Sequence, residues 1–263
     1  RAFPLAVALA LFGDGRLKVA ATKSQSRPSS AQPAQAGLAH WLQRINSPRL
    51  LYVLAAILIT LALYLTYSRG AWLGIAAGFV FIALISGRRV RIGVMAMLVV
   101  AAIGVIPFLG TERAQSLFQS GTGTGFFRVS VWQSGIAMIR DHPIFGVGLD
   151  NFLYQYPNYI QPDAWREPNL SHPHNIILDF WVRLGILGIV ALAWMLFEFF
   201  KRGFSQLKEI EGNNRALIIG LLASMVAARA HGMIDAAYFY VDLAFVWMLA
   251  LGVMTQIGKQ VNP

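Results

Sequence analysis

Apolar residues fall in blocks separated by short polar breaks, and the breaks fix the reading of the chain. Leu50 to Tyr67, Ala71 to Ile85 and Ile92 to Leu109 are three such blocks. Ser68-Arg69-Gly70 separates the first two, and Gly87 to Arg91 turns the chain before the third. Three more blocks follow, at about 176–200, 215–233 and 238–257. Most approach the length of about 20 residues that crosses a bilayer. The pattern predicts an all-α fold, a polytopic transmembrane helix bundle interrupted by one large polar segment. The predicted organisation is the end of a truncated span at 1–12, a flexible cytoplasmic linker at 13–47 and three transmembrane helices at 48–109. An extracytoplasmic loop at 110–175 follows, then three transmembrane helices at 176–258 and a cytoplasmic tail at 259–263. Residues 1–12 are apolar but too short to span, which suggests a longer protein of which this is a fragment.

Inside the loop, Phe127 to Ile139 reads as an amphipathic helix. Phe127, Val131 and Met138 share its apolar side, and Arg128 and Trp132 are neighbours at i, i+4. Asp141-His142-Pro143 ends it, because the residue before a proline disfavours helix. Ile144 to Gly148 is turn-rich. Tyr154 to Asn169 is aromatic and proline-bearing, an irregular stretch suited to the headgroup level.

Composition agrees. The chain is 56% hydrophobic and 13% charged, with mean hydropathy +0.55, about half the charged share of a soluble domain. The net charge of +10 sits in short loops between apolar blocks: Arg88, Arg89 and Arg91 in one, Lys201, Arg202, Lys208 and Arg215 in another. This is positive-inside placement rather than a nucleic-acid stripe. It sets 110–175 outside the cytoplasm and puts Arg69, Arg128, His172, His174, His231 and Asp235 on or near one outer face. There are no cysteines, so disulfides and thiolate metal sites are excluded.

The residues able to carry chemistry cluster where the loop re-enters the membrane, in Ser171-His172-Pro173-His174-Asn175. An imidazole with a pKa near neutrality suits a general base, and Asn175 can cap the helix that follows. Arg69 can snorkel to headgroups or bind a phosphate bidentately, and Arg128 can do the same or lie on a solvated face. His231 with Asp235, and Asp179 with Arg183, are spaced to meet on one helix face. Two histidines without a nearby carboxylate are a weak zinc signal. No Asp-x-Asp stands ready to bridge a metal to a diphosphate, and there is no P-loop.

Taken in order, these elements resemble the bacterial O-antigen ligase and O-antigen polymerase family. Ser68-Arg69-Gly70-Ala71-Trp72 is similar to its Ser-Arg-Gly element. Arg128 with Trp132, then Asp141-His142-Pro143-Ile144-Phe145-Gly146-Val147-Gly148 and Asn151-Phe152, is similar to its loop signature. His172-Pro173-His174-Asn175 leading into Leu184-Gly185-Ile186-Leu187-Gly188 completes the likeness, which runs from about residue 50 to 252. The resemblance implies a C-type membrane glycosyltransferase in the bacterial inner membrane, with its active site facing the periplasm. Such an enzyme moves a glycan from undecaprenyl diphosphate to an acceptor hydroxyl on a lipid, a glycan or a protein, without metal or other cofactor. It implies His174, Arg69 and Arg128 as catalytic residues. Arg69 and Arg128, with His172, Trp132, His231 and Asp235, are expected in substrate binding. Ligase and polymerase are not distinguished. A membrane anion transporter of bicarbonate type is the competing reading, and a non-catalytic scaffold a third.

Overall fold

A computed structural model describes residues 48–66, 68–109, 124–162, 167, 169–235 and 238–261. The expected span end at 1–12, the linker at 13–47 and the first part of the expected loop, 110–123, lie outside the described residues. No strand occurs among those described. The helices in chain order are α1 (Pro48–Leu65), α2 (Arg69–Ile85), α3 (Arg88–Leu109), α4 (Thr124–Asp141), a single turn α5 (Phe152–Gln155), α6 (Ile176–Gln206), α7 (Gly212–Gly232) and α8 (Val241–Val261). The apolar blocks thus become helices at nearly the expected bounds. Two helical stretches, Ile176–Gln206 and Asn214–Gly232, are long and apolar enough to cross a membrane, and Leu50–Leu65, Arg69–Ile85 and Val241–Ile257 are shorter apolar helices.

The tightest packing is between α2 and α7. Gly70, Gly74 and Gly78 are buried along one face of α2, at the four-residue spacing that lines up on a helix. A Cβ on Gly74 would lie 2.6 Å from the Ala227 carbonyl oxygen, and one on Gly70 would lie 2.8 Å from His231 Nδ1. Small residues allow this close approach where apolar solvent gives little drive for helices to associate. Around it, Phe79, Ile82, Ala83 and Val94 pack with Ile219 and Ala223. A second core joins α6, α7 and α8 through Phe180, Phe199, Ile218, Leu222, Trp247 and Met254. Arg229, an arginine within an apolar helix, lies over the Trp247 ring with its guanidinium carbon 3.4 Å from the centroid. A cation on an aromatic face is one way to seat a charge among apolar helices.

The large loop is built on α4, which ends at Asp141, before Pro143, as expected. Val131 and Met138 are fully buried, and Phe127 packs beside them. The aromatic stretch that follows differs from its sequence reading. Phe152 and Tyr156 are stacked, their centroids 5.5 Å apart, and both are fully buried. They form the loop's own core with Val131, Met138, Leu170 and Val182. Tyr154, between them in the chain, faces outward. A helical turn from Phe152 into a 3-10 turn at Tyr156–Asn158 turns these rings inward.

The sequence reads α6 as continuous, but it is broken at Gly185, whose φ is 67° and ψ −160°. The loop repairs the break. Val147 N–H donates to the Val182 carbonyl (2.7 Å), Gly148 N–H to Arg183 (3.1 Å), and Ile186 N–H to Pro143 (3.1 Å). Trp181 Nε1 also donates to the Pro143 carbonyl, at 3.1 Å. The Val182 and Arg183 carbonyls and the Ile186 N–H, beside the kink, thus find partners in the loop. Gly146 and Gly185 make the approach possible. Both have positive φ, and a side chain on either would collide with the backbone it faces, Val182 for Gly146 and Ile144 for Gly185.

Candidate active site

The loop bearing the histidines is fixed from three sides. Asn175 caps α6, its Oδ1 accepting from Ile177 N–H (3.0 Å) and Leu178 N–H (3.1 Å). Its Nδ2 donates to the Met233 carbonyl at 3.0 Å, which ties the loop to the end of α7. Arg183 reaches back along α6 and donates from Nη2 to the Ser171 carbonyl at 2.6 Å. That guanidinium is buried with Asp179, Nε to Oδ1 at 2.7 Å, and also meets Asp150 at 3.0 Å. On the loop helix, Gly135 faces Pro173: a Cβ on this glycine would lie 3.6 Å from the Pro173 side chain.

This frame holds His174 at φ 51°, in the left-handed region a non-glycine residue rarely enters. Asp150, also at positive φ, is the residue that meets Arg183. Such strain persists only where the surroundings over-determine it, and it gathers at functional sites. Here it turns the His174 ring toward α7: His174 Nδ1 lies 3.2 Å from Asp235 Oδ1. Asp235 sits beyond the end of α7 at Gly232, in the turn that follows. The helical i, i+4 geometry expected for His231 and Asp235 therefore does not extend to it, and His231 instead lies against Gly70 of α2. The contact places Arg69, the first residue of α2, at the same end of the bundle.

His172 completes the group. Its ring is 4.3 Å from that of His174 and roughly perpendicular to it. His172 Nδ1 meets Ser171 Oγ at 3.1 Å and the Tyr240 hydroxyl at 3.3 Å. Burial, with a smaller contribution from the neighbouring His174, pushes its imidazole down to about 4. His172 is thus neutral at neutral pH. Its folded pKa lies below the unfolded value of about 6.5, so its contribution to stability is complete above that value and disappears as pH falls toward 4. At about 1.4 kcal/mol per unit this is on the order of 3 kcal/mol. Melting temperature in detergent should fall between pH 6.5 and 4, and His172→Gln should flatten that part of the profile. An unchanged profile in the variant would remove His172 as the cause.

Ligand atoms of His172, His174 and Asp235 all lie within 4.8 Å of one another. The fold thus supplies the carboxylate that sequence spacing did not put beside the histidines, and two imidazoles with one carboxylate are the donor set of some zinc sites. Arg128 and Trp132 lie on α4, the helix whose Gly135 meets Pro173, but no described contact joins either to the imidazoles. Asp150 and Tyr240 were not singled out from sequence. The Tyr238-Phe239-Tyr240 run at the start of the last apolar block is a signal that could have found Tyr240; nothing local in the sequence points to Asp150.

Residues 54–193 match the family model described as O-antigen ligase. The O-antigen ligase of Salmonella typhimurium is 27% identical over 164 residues, covering 59% of this chain and 40% of that protein. The chain thus spans well under half the length of this relative.

Proposed function

The chain belongs to the O-antigen ligase family, and from that membership we propose that it transfers a glycan from undecaprenyl diphosphate to an acceptor hydroxyl, without a metal. The reading places six spans in the bacterial inner membrane and the histidine loop at the periplasmic face. The observation that carries it is the His174–Asp235 pair at the membrane end of α6 and α7. In the tautomer with Nδ1–H donating to the Asp235 carboxylate, His174 Nε2 keeps its lone pair and is the base.

The acceptor oxygen attacks the anomeric carbon while its proton passes to His174 Nε2. The bond from that carbon to the diphosphate oxygen breaks, and the electron pair leaves with the lipid diphosphate. Displacement inverts the carbon. Arg69 and Arg128 neutralise the charge that develops on the leaving group, the electrostatic role that often dominates catalysis. No general acid is required, because the diphosphate is already a stable leaving anion. Asp235 is a positioning residue, holding the ring and stabilising the imidazolium once formed. His172, neutral and wedged beside His174, together with Trp132 and His231, borders the substrates.

The test uses membranes carrying the full-length protein, labelled glycan on undecaprenyl diphosphate, a lipid A-core acceptor or a second glycan chain, and a chelator throughout. Transfer to one acceptor class supports the reading and separates ligase from polymerase. No transfer to any acceptor, with bicarbonate uptake in the same membranes, would replace it with the transporter reading.

A further inference from the structure

Ile144 and Phe145 stand out as apolar side chains with no cover. They are 57% and 76% exposed, although they lie in the segment pinned by backbone bonds to the break in α6. The pinning fixes their height. From Gly185 to Lys201 the helix extends about 24 Å at ~1.5 Å per residue. A hydrocarbon layer is about 30 Å thick. With Lys201 and Arg202 at the cytoplasmic edge, where their stems let the charges reach water, the break and the segment bonded to it fall within the outer part of the hydrocarbon. Just past the break, α6 presents Ile186, Leu187, Val190 and Trp194 outward, each at least 40% exposed. The exposed pair therefore continues an apolar face that begins on the helix, while the charged partners Arg183 and Asp179 are buried at the preceding turns.

We propose that the Ile144-Phe145 tip is a lipid-facing wedge, seated among the acyl chains of the outer leaflet beside the kink of α6. The inference rests on the membrane placement proposed for α6. Burial of the tip among acyl chains is favourable and acts at the segment whose next residues support Arg183 and, through it, the histidine loop. The wedge sets the height of the active site above the hydrocarbon, where a lipid-borne diphosphate lies.

No cysteine of this chain competes for a label. Single cysteines replace Phe145, Val190 or Asn151 in the full-length protein, each carries a nitroxide label, and the protein is reconstituted in phosphatidylethanolamine–phosphatidylglycerol vesicles. Depth is read from the relative accessibility of the label to oxygen and to a water-soluble nickel complex. Phe145 and Asn151 are surface positions, and circular dichroism checks that the helices are retained. The expected result is that labels at 145 and 190 both favour oxygen by several-fold over the label at 151. A label at 145 matching 151, with 190 in lipid, overturns the wedge and leaves the span intact. A label at 190 in water overturns the membrane placement of α6 itself.

Discussion

His174→Ala lowers glycan transfer by 10²–10⁴-fold, the range in which a positioned general base contributes, while the protein stays in the membrane at its normal level. The expectation of an intact fold comes from the loop's restraints. Asn175 holds the cap and the tie to Met233 through its own side chain. Arg183 holds the loop through the Ser171 backbone, which the substitution leaves in place. Removing the imidazole deletes the base and leaves Asp235 without this partner, but Asp235 is half-exposed and can hydrate. Asp235→Asn separates the two roles. It keeps a hydrogen-bond acceptor near Nδ1 and removes the charge that stabilises the imidazolium, so it should lower turnover by a smaller factor and leave donor affinity unchanged. Unaltered transfer by His174→Ala, measured in the same membranes, would take the residue out of the chemistry. Turnover by Asp235→Asn equal to wild type would take Asp235 out of the positioning role.

How much of this was readable beforehand depends on how far apart in the chain the interacting residues lie. The helices were legible because each apolar block is bounded by a local signal: Ser68, which accepts from Ala71 N–H at the start of α2, Pro143 after α4, and Asn175 before α6. The Asp179–Arg183 pair was legible for the same reason, since one turn of helix brings the two together. The break at Gly185 was not. Leu184-Gly185-Ile186-Leu187-Gly188 carries no proline or charge, and a glycine in an apolar run reads as helix until its partner is known. The partner is Pro143 to Gly148, some forty residues earlier, and it binds through backbone atoms that have no sequence signature. The His174–Asp235 contact joins residues 61 apart in the chain. Local spacing instead paired Asp235 with His231, on the assumption that α7 continued past Gly232. Tyr156 was read as part of an irregular stretch at the headgroup level, because aromatics are common at interfaces. A single helical turn was enough to reverse that.

Arg183→Met should be the most damaging change outside the reacting groups. Of the guanidinium's three hydrogen-bonded partners, Asp150 is 92% exposed and contributes little, as exposed pairs do. Asp179 is 5% exposed, so losing Arg183 strands a buried carboxylate, a cost of about 3–5 kcal/mol. The Ser171 carbonyl loses its donor as well, and with it one of the three restraints that hold His174 at positive φ. Lower melting temperature, lower membrane abundance and loss of transfer are expected together. A second substitution tells stability from positioning. Asp179→Leu with Arg183→Met replaces both charges by apolar groups, which is often neutral or stabilising for a buried pair. The double variant should recover melting temperature and abundance, yet transfer should stay low because nothing clamps Ser171. Recovery of transfer along with stability would mean that Arg183 serves the fold alone. An Arg183→Met protein that melts and transfers like wild type would mean that the buried pair holds neither the helix nor the loop.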